Sequence, residues 1–275
     1  MTNIVIFTDL DGTLLDSDSY SFEPALDAIK LIKEKNIPLV ITSSKTAKEI
    51  MHYRDILEND HPFVSENGGG IFFPREYFRD APFWLDVGEK YGYYMVVQGT
   101  PYAKLVDALK KLKTKGFDIK GFSDMNVEEI QKITGLSEKE AKLAKERDFD
   151  EPIVADDSVN LMALKMAIRD TGLRYTSGKY LHLIGNSDKG KSVRIVMDIF
   201  TKNLGKVAFV AVGDSINDLP MLLNVEYPIV VKKDDGTYDK YIMNSVPNII
   251  YSNGRGPAGF NDAIIKIVGE LSEKD

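Results

Sequence analysis

Between Ile4 and Leu57 the chain alternates short apolar runs with amphipathic ones. Ile4 to Phe7 reads as a strand, Phe22 to Glu34 as a helix, Ile37 to Thr42 as a strand and Ala47 to Leu57 as a helix. Strands that alternate with helices demand right-handed crossovers and a parallel sheet. Pro62 to Ser65 adds a further short strand that ends at Glu66-Asn67-Gly68-Gly69-Gly70. The alternation returns near the end: helix over Lys191 to Phe200, strand over Val207 to Val212, helix over Pro220 to Asn224, strand over Pro228 to Val231, then a last strand and helix over Asn248 to Tyr251 and Asp262 to Leu271. The expected fold is a Rossmann-like, doubly wound parallel α/β core formed by residues 1–86 and 185–275. Residues 87–184 differ in texture, with a Tyr-rich strand over Tyr91 to Gln98 and amphipathic helices over Pro101 to Lys113 and Val127 to Thr134; they read as an inserted α/β domain.

Composition narrows the function classes. With 43% hydrophobic and 28% charged residues, 275 residues can bury a substantial core. A net charge of −7 argues against a nucleic-acid surface, so an anionic substrate would need local positive charge. Cys is absent, which excludes disulfides and thiolate metal sites. Met1-Thr2-Asn3 leads straight into the first strand, and no apolar span is long enough to cross a bilayer, so a cytoplasmic chain without a membrane partner is expected.

Carboxylates cluster where such a sheet places its ligands, outside the carboxyl ends of the strands. The first strand runs into Asp9-Leu10-Asp11-Gly12-Thr13. Side chains two apart on a strand point the same way, so Asp9 and Asp11 share a side, and Gly12 permits a sharp turn beyond them. Adjacent carboxylates repel and tend to hold protons unless a cation intervenes, which suits a hard divalent ion and phosphoryl chemistry. An Asp-Gly turn after a strand is also common without either.

Three more strand or helix ends carry polar chemistry. Ile41-Thr42-Ser43-Ser44-Lys45-Thr46 offers hydroxyls and helix amides to an anion, or a plain N-cap. Lys189 opens the helix after the insertion, as a phosphate clamp or a solvated charge. Val210-Ala211-Val212-Gly213-Asp214-Ser215-Ile216-Asn217-Asp218 repeats the pattern of a buried strand followed by paired carboxylates. There Asp218 could simply favour the helix dipole and Asn217 simply cap. Two such clusters in one domain favour a site.

Asp9-Leu10-Asp11-Gly12-Thr13, Ser43, Lys189 and Gly213-Asp214-Ser215-Ile216-Asn217-Asp218 resemble, in order, the four motifs of the haloacid dehalogenase superfamily. The insertion resembles the large α/β cap of its Cof-like sugar phosphatase branch. Ser43-Ser44-Lys45-Thr46, Glu66-Asn67-Gly68-Gly69-Gly70, Gly99-Thr100-Pro101-Tyr102, Arg147-Asp148-Phe149-Asp150-Glu151-Pro152 and Gly256-Pro257-Ala258-Gly259-Phe260-Asn261 are together similar to the mannosyl-3-phosphoglycerate phosphatase family. Most of the wider branch has Thr-Gly-Arg in place of Ser43-Ser44-Lys45. Asp148 and Phe260 stand where the narrower family is expected to have Glu and Trp.

The resemblance implies a Mg²⁺-dependent phosphatase that cleaves mannosyl-3-phosphoglycerate, or its glucosyl counterpart, through an aspartyl-phosphate, in compatible-solute biosynthesis. It makes Asp9 the nucleophile and Asp11 the proton donor and acceptor. Mg²⁺ would take Asp9 and Asp214 side chains and the Asp11 main-chain carbonyl, with Asn217 and Asp218 around them and Asp218 orienting a ligand water or Lys189. Ser43, Ser44 and Lys189 would hold phosphoryl oxygens, and Lys45, Asn67, Arg147, His182 and Arg255 the glycerate and sugar. Blander roles stand beside the last group: a solvated helix charge for Arg147, a strand residue for His182 among Lys179 to Leu183, and a turn for Gly254-Arg255-Gly256-Pro257. Rival functions are another sugar phosphatase of the branch, such as one acting on sucrose phosphate, a phosphomutase, or a non-catalytic binder. The last would be expected to lack Asp9, Asp11 or Lys189, and this chain keeps all three.

Overall fold

The computed structural model describes residues 3–78 and 86–273. The first part of the chain forms β1 (Asn3–Thr8), α1 (Leu26–Glu34), β2 (Leu39–Thr42), α2 (Ala47–Leu57) and β3 (Phe63–Ser65), then a short 3-10 turn over Glu66–Gly68. The chain reverses there into β4 (Gly70–Pro74), followed by β5 (Val87–Lys90) and β6 (Tyr93–Val97). A second unit comprises α3 (Tyr102–Thr114), β7 (Ile119–Gly121), α4 (Val127–Thr134), α5 (Glu138–Ala144), β8 (Asp150–Ala155), α6 (Leu161–Asp170), β9 (Arg174–Ser177) and β10 (Leu181–Ile184). The remainder is α7 (Lys189–Leu204), β11 (Val207–Gly213), α8 (Leu219–Leu222), β12 (Tyr227–Lys232), α9 (Lys240–Ser245), β13 (Ile250–Arg255) and α10 (Gly256–Ser272).

Nine strands make one sheet in the order β13-β12-β11-β1-β2-β3-β4-β6-β5, parallel from β13 to β3 and antiparallel beyond. Alternation along β1 divides the core. Ile4 and Ile6 pack on one face against Ala28, Ile29 and Ile32 of α1, Ile50 and Leu57 of α2, and Ile264 and Val268 of α10. Val5 and Phe7 pack on the other face against Val193, Val196, Ile199 and Phe200 of α7, Met221 of α8 and Ile242 of α9. The three-and-four spacing in α7 turns one stripe toward the sheet, and each fully buried large apolar side chain contributes roughly 1.5–3 kcal/mol. The core is therefore covered by helices on both faces.

The expected insertion begins too early. Residues 87–97 complete the large sheet: β6 lies antiparallel to β4 with Ile71 opposite Val96, and β5 lies against β6. The Tyr-rich texture that set this stretch apart has a core function, because the Tyr93 ring packs edge-on against Phe63 and Phe72. The second, four-stranded sheet, ordered β7-β8-β10-β9 and antiparallel throughout, starts only after Gly99. Its own core joins Leu105, Leu109 and Leu112 of α3 to Ile153, Leu164, Ile168 and Leu183. No helix among the described residues is long and apolar enough to cross a membrane; Met1 and Thr2 lie outside them.

Candidate active site

Three neighbouring parallel strands deliver the polar residues. β11, β1 and β2 lie side by side, with Thr8 opposite both Val212 and Ile41, so Asp214, Asp9 and Ser43 leave the sheet at one level. Asp9 continues the ladder by donating its N–H to the Val212 carbonyl at 3.0 Å. Gly12 then turns with φ +76°, and a Cβ there would come within 3.1 Å of Asp214 Oδ2. Only glycine meets both the left-handed turn and the close approach. Thr13 Oγ1 donates to Asp214 Oδ1 at 3.2 Å, fixing one loop to the other.

Lys189 enters from the first turn of α7, which Asp188 caps by accepting the Lys191 N–H at 2.8 Å. Its ammonium is completely buried, 2.8 Å from Asp9 Oδ1 and 2.6 Å from Asp218 Oδ1. The other Asp218 oxygen accepts the N–H groups of Asp214 and Ser215, each at 3.1 Å. Both Asp218 oxygens are thereby occupied, and Asp218 holds Lys189 and the 214–215 loop in place.

Asp9, Asp214 and Asp218 are buried with ligand atoms within 4.8 Å of one another, and the ammonium of Lys189 contacts two of them. Burial, and then the charge of Asp218, push the Asp9 carboxyl up to about 7, with Lys189 opposing. Asp214 is raised well above the ordinary carboxylate range by burial and then by Asp218 and Asp9. The Lys189 pKa is raised as well: burial disfavours its charge, but Asp218 and Asp9 outweigh that and hold it firmly protonated. A buried, all-oxygen donor set with unrelieved negative charge fits a hard divalent cation. Asp11 sits apart from this cluster, its carboxylate turned to Lys45 Nζ at 3.0 Å.

Lys45 is almost wholly buried beside Asp11. Glu49 closes a capping box at the start of α2, where Thr46 Oγ1 accepts the Glu49 N–H at 3.1 Å and Glu49 Oε2 accepts the Thr46 N–H at 2.9 Å. The second Glu49 oxygen lies 3.6 Å from Lys45 Nζ. The Tyr20 and Tyr53 rings flank the ammonium at 4.8 and 5.5 Å. Burial disfavours its charge, but Asp11 and Glu49 raise its pKa all the same.

Above these groups is a cavity of about 370 Å³ lined from both sheets. Asp9, Asp11, Ser44, Lys45, Asp214 and Asn217 come from the core, and Arg147 and His182 from the second unit. Arg147 lies in the turn between α5 and β8, not in a helix, and is almost wholly buried. Its Nε donates to the Ala144 carbonyl at 3.1 Å and its Nη1 to the Ser44 carbonyl across the cleft at 3.4 Å. His182 Nδ1 is 2.8 Å from Asp150 Oδ1.

Four expected contacts lie off the cavity wall. Ser43 is fully buried, its hydroxyl accepting the Lys45 N–H at 3.2 Å. Lys189 reaches the wall only through Asp9. Asn67 is buried with φ 53°, and its amide links Asp150 Oδ2 at 2.7 Å to Asn217 Nδ2 at 3.2 Å. Arg255 is exposed and donates to the Asp234 carbonyl at 2.6 Å, so its charge braces a surface loop. Conversely, Tyr20, Tyr180 and Lys233 line the cavity without having been singled out. Tyr20, four residues after the Asp9–Asp16 stretch that closes the first strand end, carried a positional signal; Lys233 follows β12 at the same edge of the sheet.

Residues 6–84 match the haloacid dehalogenase-like hydrolase family. Over 269 residues, 97% of each chain, the sequence is 44% identical to the glucosyl-3-phosphoglycerate/mannosyl-3-phosphoglycerate phosphatase of Methanococcoides burtonii. The chain belongs to this family. A relative of the same name from Persephonella marina is 41% identical over 271 residues, 98% of each chain. Among solved structures, a Thermoplasma acidophilum protein superposes with a TM-score of 0.70 at 15% identity, over 98% of this chain and 99% of that one, a likeness of fold. The large sheet, mostly parallel and flanked by helices, is the α/β core of haloacid dehalogenase-like hydrolases.

Proposed function

We propose that this phosphoric monoester hydrolase removes the phosphoryl group from mannosyl-3-phosphoglycerate or glucosyl-3-phosphoglycerate, leaving the glycosylglycerate, a compatible solute. The observation that carries the reading is one cavity in which Asp9 and Asp11 face Lys45, Arg147 and His182. Carboxylates for the chemistry thus share one cavity with positive and hydrogen-bonding groups for a second anion. Two relatives spanning nearly the whole chain bear that activity in their names.

In this reading Asp9 attacks phosphorus in line, forming a bond from its carboxylate oxygen while the ester oxygen leaves with a proton from Asp11. Water then cleaves the aspartyl-phosphate, its proton passing to Asp11. Lys189, held against Asp9 by Asp218, opposes the charge that collects around Asp9 and the phosphoryl oxygens. Ser44 borders the same space, and Ser43 shapes the loop by accepting the Lys45 N–H. Asp9 and Asp214, with the Asp11 main chain, would hold Mg²⁺, which when bound neutralises charge on the phosphoryl group as it transfers. Arg147, with Nε and Nη1 already bonded within the protein, offers Nη2 to the glycerate carboxylate, and His182 a ring edge beside it.

The test is a phosphate-release assay over phosphorylated sugars and glycosylated phosphoglycerates, with and without Mg²⁺. The expected result is release from the glycosyl-3-phosphoglycerates at a kcat/KM roughly a hundredfold above sucrose phosphate or hexose phosphates, which lack the carboxylate. Equal use of all esters would sink the substrate reading. Return of the phosphoryl group to a sugar acceptor, with a bisphosphate intermediate, would indicate a mutase instead.

A further inference from the structure

Asp150 never touches the cavity, yet it contacts both second-unit residues placed there for an anion. It is completely buried at the start of β8. One carboxylate oxygen is 2.8 Å from His182 Nδ1 and 3.4 Å from Arg147 Nη1, and the other accepts from Asn67 Nδ2 at 2.7 Å. Burial alone would raise its pKa, but His182, Arg147 and Asn67 outweigh burial and hold the carboxyl below its ordinary value. An ionised carboxylate only accepts hydrogen bonds, so His182 must carry a proton on Nδ1. The opposite nitrogen, Nε2, is then the one left for the cavity that His182 lines. Among the described residues no protein acceptor meets Nε2 or Arg147 Nη2.

The connection continues on the core side. Asn67 passes from Asp150 to Asn217 at 3.2 Å, and Asn217 accepts the Ser215 hydroxyl at 2.7 Å in the loop that carries Asp214. A single buried carboxylate thus ties the anion-facing groups of one unit to the carboxylate loop of the other.

We propose that Asp150 is a positioning residue that makes the cavity select phosphate esters bearing a neighbouring carboxylate, by aiming Arg147 and His182 at that group. The inference rests on the substrate class proposed above and deepens it: specificity is set by an acid out of reach of the substrate. Truncating a charged hydrogen-bonding partner of this kind costs enough to change discrimination by roughly ten- to a hundredfold. Asp150→Asn keeps the shape but turns amide hydrogens toward donors that need an acceptor.

The experiment compares 3-phosphoglycerate with glycerol 3-phosphate, which differ by the carboxylate, as competitive inhibitors of p-nitrophenyl phosphate hydrolysis by wild type, Asp150→Asn and Asp150→Glu. The ratio of inhibition constants is read within each protein, so a general loss of rate or of folded fraction cancels. Wild type is expected to favour 3-phosphoglycerate. Asp150→Asn should lose that preference by about tenfold or more, and Asp150→Glu, which keeps the charge, should retain part of it. An unchanged ratio in Asp150→Asn would overturn the inference, because a merely structural acid weakens both inhibitors alike; so would a wild type without preference.

A measurement on the wild type needs no folded variant: the His182 imidazole ¹⁵N–¹H correlation should show a protonated Nδ1, and an Nε2–H-only ring would equally overturn the assignment. Failure of the substrate reading looks different. A wild type that prefers 3-phosphoglycerate yet leaves glycosyl-3-phosphoglycerates uncleaved refutes that reading while the Asp150 ratio still stands.

Discussion

Lys189 lies between two carboxylates and cannot neutralise both, so Asp9 is asked to be an anion in a place that disfavours one. Its carboxyl, raised to about 7 by burial and Asp218, is thus held at a cost in stability, which the proposed role as nucleophile would account for. Asp9→Asn should therefore do two things. Turnover should fall on the order of 10³-fold or more, because an amide is a poor nucleophile, whereas the melting temperature of the metal-free protein at pH 8 should equal or exceed that of wild type. Steady-state assays and a thermal melt decide; activity retained in a deamidation-checked sample would remove Asp9 from the role of nucleophile. Asp9, Asp11, Asp214 and Asp218 were legible in the sequence because each follows an apolar strand within a few residues, so local order reveals shared position. The partners of Glu66 and Asp150 were not. Glu66 accepts the Phe149 N–H at 2.7 Å from 83 residues away, and Asp150 meets His182 across 32. Such pairs obey no period, and only strand register and loop packing bring them together.

At the scale of elements, the two sheets are joined by more than the chain crossings at Gly99 and Gly185. The turn leading into β8 inserts the Phe149 ring against a glycine surface formed by Gly69, Gly70 at the start of β4 and Gly99 at the crossing itself. A Cβ on Gly99 would lie 2.5 Å from Phe149 Cβ and 2.8 Å from its Cγ, and one on Gly70 3.1 Å from its ring. Beside the ring, both Glu66 oxygens accept the Asp148 N–H at 3.0 Å. Gly99→Ala should destabilise the protein by about 1–3 kcal/mol through overpacking. Adding Phe149→Ala to Gly99→Ala should cost less than the two changes summed, in a double-mutant cycle by denaturant unfolding. Simple additivity would mean the ring does not seat there. Gly69-Gly70 and Gly99 stood out in the sequence as motif residues, but without a packing partner their meaning stayed open. The same limit explains the misplaced edge of the second unit: β5 and β6 have the alternation of a strand pair, and nothing in that pattern says which sheet they join.

For the whole molecule, the buried carboxylates sum to a pH dependence. Asp9 at about 7 and Glu66 at about 8, each raised chiefly by burial, bind a proton more tightly in the folded chain than at their ordinary values of 3.8 and 4.5. Asp214 and Glu151 shift the same way, again chiefly through burial. Across roughly pH 4 to 8 the folded state therefore holds more protons than the unfolded one, and stability falls as pH rises. Lys45 and Lys189 do not offset this: their pKa values are raised, so their contribution is complete below the ordinary value of 10.5 and is lost only above it. Asp150, lowered, contributes in full above 3.8 and loses its contribution only as pH falls below that value. The metal-free protein should accordingly be most stable near pH 5, with a melting temperature lower on the order of 5 °C at pH 8. A cation bound by Asp9 and Asp214 displaces their protons, so added Mg²⁺ should raise the melting temperature more at pH 8 than at pH 5.5. Glu66→Gln should flatten part of the metal-free decline without altering the Mg²⁺ increment, because Glu66 lies outside the acidic cluster. Calorimetry of chelated and Mg²⁺-loaded protein across this range checks all three. A metal-free melting temperature that climbs from pH 5 to 8 would mean that the lysines already neutralise the buried acids, and that the acidic cluster does not require a cation to relieve it.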